Sequence, residues 1–173
     1  MYLVLLADII ILIYVLESFA LITGVRTRRV KAWNWFGKHA LWCAFLISLA
    51  AMLGSLYFSE ILGYAPCNLC WYQRIFIYPQ VFLFGLAIWM KEKTRIWAYS
   101  VVLSIVGAII AVFQYYIQVV PKPLVTLPCS AIGYSASCTE TFVTYFGYIT
   151  IPIMALTAFL SLLILSRLAK SSL

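Results

Sequence analysis

Two cysteines, Cys67 and Cys70, stand in the stretch GYAPCNLCWYQRIFIYPQVF (63–82), just ahead of a long apolar run that contains a single cation, Arg74. On a helix that starts near Cys67, the three residues fall at i, i+3 and i+7 and share one face. A thiol in the first turn meets the positive end of the peptide dipoles, and a guanidinium one turn deeper is permanently charged. A thiolate at Cys70 is therefore stabilised. The thiolate is the form that attacks disulfides and donates electrons, so the stretch reads as a redox site at the mouth of an apolar segment.

The elements that hold these residues are set by composition. The chain has 173 residues, of which 65% are hydrophobic and only 10% charged, with a mean hydropathy of +1.03. A soluble domain of that composition would expose far too much apolar surface, so this is an integral membrane protein. Its net charge of +7 does not point to nucleic acid. The basic residues fall in short clusters between apolar runs, where anionic lipid and the positive-inside rule account for them. Five runs are long enough to span: Met1–Ile22, Ala40–Phe58, Trp71–Met90, Ile96–Val119 and Phe146–Leu165. With no internal repeat and no room for a soluble domain, the expected fold is an all-α membrane bundle. Residues 1–39 form an extra N-terminal span with its basic loop, and 40–170 form a four-helix core.

Lysine and arginine set the orientation. Arg26, Arg28, Arg29, Lys31 and Lys38 fill the first connection, Lys91, Lys93 and Arg95 the third, and Arg167 and Lys170 the tail. These segments belong on the cytoplasmic side. The second connection (59–66) has no Lys or Arg and the fourth (120–145) only Lys122, so both face outward and the N-terminus lies outside. The first run has no basic residues ahead of it and a basic cluster behind it, which marks a retained anchor and not a cleaved signal peptide. Cys67 and Cys70 then open the third span on the outer face, Cys129 and Cys138 lie in the outer fourth loop, and Cys43 sits near the inner end of the second span. Four cysteines facing an oxidising compartment also fit two structural disulfides. A zinc site is disfavoured because the second pair is Cys-x8-Cys and not a short knuckle. Cys43 reads as a small apolar packing residue.

At the depth of Cys70 and Arg74 a protein disulfide can approach from water and a lipid-soluble quinone from the bilayer. Reduction of a quinone places negative charge on oxygen, and Arg74 stands where it would stabilise that charge. Trp71 and Tyr72 suit the interfacial aromatic belt. Gln73 and Gln80 share one helix face, as do Gln114 and Gln118, and both pairs read as interhelical hydrogen-bonding groups. Pro79 can kink the third span and open space beside it.

The segments CNLCWYQR (67–74), GSLYFSE (54–60) and CTETFVTYFGYITIP (138–152) closely resemble the DsbB family of membrane thiol–quinone oxidoreductases, particularly the BdbC-type members of Gram-positive bacteria. The resemblance covers about 40–168. It implies a multi-pass protein of the bacterial cytoplasmic membrane that reoxidises an extracytoplasmic thioredoxin-like thiol oxidase, DsbA- or BdbD-like, and passes the electrons to ubiquinone or menaquinone. By position, Cys67 and Cys70 resemble the quinone-linked pair, Arg74 the quinone-site arginine, and Cys129 and Cys138 the partner-facing pair. No metal and no nucleic acid enter this reading. A vitamin K epoxide reductase-like enzyme would place its loop pair ahead of its membrane Cys-x-x-Cys, the reverse of the order here. A membrane anchor with static disulfides is the non-enzymatic alternative.

Two features stand apart from that pattern. The first span carries Asp8 and Glu17, which are unusual at membrane depth and lie on opposite faces. His39 falls on the inner side as an interfacial residue, remote from the outer thiols.

Overall fold

The computed structural model describes residues 6, 8–10, 13, 35, 37–92, 94–119 and 150–172, with backbone alone at 171 and 172. Four long helices account for most of them: α1 (Ala40–Leu56), α2 (Asn68–Met90), α3 (Ile96–Val119) and α4 (Ile151–Ser172). A π-helical stretch, Tyr57–Ile61, continues α1, so the apolar span runs Ala40–Ile61. All four are long and apolar enough to cross a membrane. Leu6, Asp8–Ile10 and Ile13 belong to a further helix at the N-terminus. No strand occurs among the described residues, and the chain is an all-α helical membrane bundle.

The helices pack in chain order, α1 on α2, α2 on α3, α3 on α4, and α4 back on α1. Sequence and structure agree closely on where α1, α2 and α3 lie. The last helix continues past the expected end at Leu165 to Ser172, and the expected start at Phe146 lies outside the described residues. Apolar side chains that can shed lipid contact fill the centre: Phe84 from α2 and Phe159 and Leu162 from α4 are fully buried. Phe84 also meets Trp97 of α3, with ring centroids 5.6 Å apart. Small residues set how closely the helices approach. A Cβ added to Gly107 of α3 would clash with the edge of the Phe159 ring, so these two helices could keep this spacing with a larger residue only if the ring shifted.

Two local devices fix the ends of α2. Cys67 is its N-cap, with extended backbone and a sulfur that accepts the Cys70 amide at 3.3 Å. That contact supplies one of the amide partners a helix start lacks. At the other end Lys91 adopts a left-handed conformation with φ of 57°, which stops the helix. The next residue, Glu92, accepts the amides of Thr94 and Arg95 at 3.1 and 3.2 Å just ahead of α3. Those amide hydrogen bonds, from Arg95 first and then Thr94, hold the Glu92 carboxyl below its ordinary range.

Candidate functional site

The first turns of α2 meet the last turns of α3, and Cys67 and Cys70 lie at that junction. Both are free thiols, with Sγ atoms 2.8 Å apart. A disulfide, at about 2.05 Å, therefore needs a shift of under about 1 Å. Cys67 is 3% exposed and packs with Ile117 of α3, Leu69 and Phe113 around it. Cys70 is half-buried, so the two sulfurs differ in access.

Gln114 of α3 donates from Nε2 to Cys67 Sγ and to Cys70 Sγ, at 3.3 Å in each case. Its Oε1 accepts from Gln73 Nε2 at 2.7 Å. Both glutamines are buried, at 2% and 5% exposure. The interhelical role read from sequence for Gln73 and Gln114 is therefore present. The contact between Gln114 and the sulfurs was not foreseen, because the rotation of α3 that aims one amide at two thiols has no counterpart in residue spacing.

The Arg74 side chain reaches toward α1. Its Nε donates to Ser55 Oγ at 2.9 Å and its Nη2 to the Ser55 carbonyl at 3.2 Å. The Arg74 guanidinium carbon also lies 5.1 Å from the Trp71 ring centroid, within cation–π range. Ser55 precedes the π-helical stretch, and such widened turns loosen the backbone ladder and are common at functional sites. Of the five guanidinium N–H groups, hydrogen bonds among the described residues use two. Ser55 was absent from the sequence reading, although the segment that contains it, GSLYFSE, was singled out.

One turn beyond Arg74, the Tyr78 hydroxyl is buried without a hydrogen-bond partner among the described residues. Trp71 and Tyr72 are each 53% exposed, as an interfacial position requires. Cys129 and Cys138, the loop pair expected from sequence, lie outside the described residues, as does Glu17. Cys43 packs against the central core as a free thiol. His39 is exposed at the start of α1, stacked on Trp35. Asp8, for which the sequence offered no partner, accepts from Thr157 of α4 at 2.6 Å. The described residues hold no group of three or more His, Cys, Asp or Glu that could bind a metal.

A family model described as "Disulfide bond formation protein DsbB" matches residues 37–169. Disulfide bond formation protein C of Bacillus subtilis (strain 168) is 42% identical over 130 residues, which cover 75% of this chain and 91% of that protein. Probable disulfide formation protein C 1 of Bacillus anthracis is 42% identical over 132 residues, 75% and 90% of the two chains. Probable disulfide formation protein of Metapseudomonas resinovorans is 35% identical over 122 residues, 69% and 81%. No solved structure matches. The matched region holds the thiol pair, Arg74, the whole of α1, α2 and α3 and all but the last residues of α4, and this chain belongs to the DsbB family of membrane-bound oxidoreductases of disulfide bond formation.

Proposed function

We propose that this protein reoxidises an extracytoplasmic thioredoxin-like dithiol oxidase through two cysteine pairs and delivers the electrons to a membrane quinone. The observation that carries the reading is the Cys67–Cys70 pair at the first turn of α2 with Arg74 one turn deeper, anchored by Ser55. On this reading 40–170 is the working bundle, 1–39 an added span, and the active cysteines face away from the cytoplasm.

The residues present suit a quinone. Among the described residues, Arg74 has N–H groups beyond the two that Ser55 takes, and the Tyr78 hydroxyl is a buried donor without a partner. Arg74 and Tyr78 lie one turn apart on one flank of α2, so both can address the oxygens of one planar ring. A bound quinone supplies a two-electron, two-proton acceptor. The protein's own part is to hold a sulfur beside that acceptor, keep a fixed positive charge at the place where negative charge develops, and exclude water.

The thiol steps follow from access. A thiolate of the reduced partner attacks the Cys129–Cys138 disulfide at Cys129, and Cys138 leaves with the electron pair. Cys138 then attacks Cys67, breaks the Cys67–Cys70 bond and releases Cys70 as a thiolate. The second partner thiol displaces Cys129 and leaves the partner oxidised. Cys129 then attacks Cys138, which re-forms the Cys129–Cys138 bond and releases Cys67 as a thiolate, and closure of the Cys67–Cys70 bond with a quinone as the oxidant would complete the passage of two electrons and two protons from the partner dithiol to the acceptor. The test uses Cys129→Ser protein, fully reduced and then given ubiquinone or menaquinone without oxygen. The expected result is that Cys67 and Cys70 rejoin while the reduced partner stays reduced. If neither quinone restores the bond, the acceptor assignment is wrong.

A further inference from the structure

The amide of Gln114 faces two sulfurs at once. Its Nε2 carries two N–H groups, and it lies 3.3 Å from Cys67 Sγ and 3.3 Å from Cys70 Sγ. An amide can be turned end for end, which would point its oxygen at the sulfurs. In the structure Gln73 Nε2 donates to Gln114 Oε1 at 2.7 Å, which puts the oxygen on that side and the nitrogen toward the sulfurs, the orientation that a charged sulfur also requires because it can only accept. The unit is closed from water, with Gln114 2%, Gln73 5% and Cys67 3% exposed. In such surroundings a donor to a charged sulfur counts for more than at a wet surface, and a hydrogen bond accepted at Oε1 polarises the amide and strengthens its N–H donors.

We propose that Gln114 is a catalytic residue of the thiol pair, one that stabilises negative charge on whichever of Cys67 and Cys70 carries it, and that Gln73 is the positioning residue that keeps its donors aimed. The proposal deepens the disulfide-transfer reading and rests on it for the direction of the reaction. When a thiolate attacks Cys67, a new S–S bond forms at Cys67, the Cys67–Cys70 bond breaks, and the electron pair stays on Cys70 Sγ. One Gln114 N–H is already directed at that leaving sulfur. If the pair is instead reduced completely, the second N–H serves Cys67. Arg74 does not replace this contact, because among the described residues its Nε and Nη2 donate to Ser55 of α1 and not to either sulfur.

The test needs neither quinone nor partner. Reduced full-length protein in detergent is treated with iodoacetamide between about pH 5 and 9, and modification of the peptide carrying Cys67 and Cys70 is followed by mass spectrometry. Gln114→Leu should react about tenfold more slowly than wild type at the acidic and neutral end and equal it at the alkaline end, where the thiols ionise without help. Gln73→Leu should show a smaller loss of the same form. Gln80→Leu, which removes an equally buried glutamine from the same helix, should follow the wild-type profile. A Gln114→Leu profile that superimposes on wild type, or that lies below it by one factor at every pH, overturns the proposal. If Gln114→Leu does not insert, Gln73→Leu decides, and a wild-type profile there is equally fatal. Failure of quinone to rejoin the reduced pair would sink the acceptor reading and leave these profiles untouched, so the two ideas fail separately.

Discussion

Gln73 and Gln80 lie two turns apart on one face of α2, both buried and both hydrogen-bonded across to α3, but they end in different chemistry. Gln80 is closed on itself. Its Nε2 donates back to the Phe76 carbonyl at 3.0 Å, and its Oε1 accepts from Ser100 and Ser104 at 2.8 and 3.3 Å. Ser100 and Ser104 are almost fully buried. Gln73 instead donates to a second amide, and that amide passes the polarity on to two sulfurs. A buried glutamine in a membrane helix thus acts as glue where its partners are saturated, and becomes part of a reactive site where the chain of donors ends on an ionisable atom.

The largest effects belong to the thiol end. Cys67→Ser or Cys70→Ser should reduce oxidation of a reduced thioredoxin-like partner to the uncatalysed level, measured as anaerobic thiol loss, with the protein still inserted. Arg74→Ala removes one charge-assisted contact, a loss of roughly 1.5–3 kcal/mol, and should lower kcat/KM for quinone by about ten- to a hundredfold. Ser55→Ala keeps the carbonyl contact and loses only the one to Nε, so its expected effect is about two- to tenfold. Full quinone kinetics in Arg74→Ala protein would reduce this arginine to a lipid-facing anchor.

Stability should respond away from the thiols. Gly107→Ala drives a methyl group into the Phe159 ring between α3 and α4, and overpacking of that kind costs about 1–3 kcal/mol. Gln80→Leu leaves two serine hydroxyls that can bond back to their own helix, so the loss should be smaller, on the order of 1 kcal/mol. Both are read from unfolding in detergent. A Gln80→Leu protein of normal stability but altered thiol reactivity would erase the distinction between the two glutamines.

Hydropathy and charge made the spans readable before any coordinates, because bilayer thickness leaves little freedom in helix length. The i, i+3, i+7 relation among Cys67, Cys70 and Arg74 was readable for the same reason, since it lies within one helix. What crosses between helices was not. Gln114 is 47 residues from Cys67, and its aim depends on how α3 rotates against α2. Ser55 acquires its role from the way α1 packs beside α2, which brings it to Arg74, 19 residues on. Asp8 shows the limit most plainly: period placed it on a face, but its partner Thr157 lies 149 residues away.

The smallest expected effect lies at the far end of α2 from the thiols, where the two-glutamine face gives way to the turn at Lys91. Glu92 is fully exposed there and accepts two backbone amides, from Thr94 and Arg95. Its carboxyl is held below the ordinary range, so the folded state releases this proton more readily than the unfolded chain. The resulting stabilisation is therefore present above the ordinary carboxylate range and is lost as pH falls through the lower folded value. Glu92→Ala should lower the melting midpoint by on the order of a degree or two near pH 7, and the gap to wild type should close as the solution is acidified past about pH 4. Glu92→Gln keeps an acceptor oxygen but no charge, and should fall between the two at neutral pH. Thiol reactivity at Cys67 and Cys70 should be the same in all three proteins, because this turn reaches the site only through the whole length of α2. A gap that widens on acidification would mean that the carboxylate strains the turn, and a change in thiol reactivity would show that the two ends of α2 are coupled.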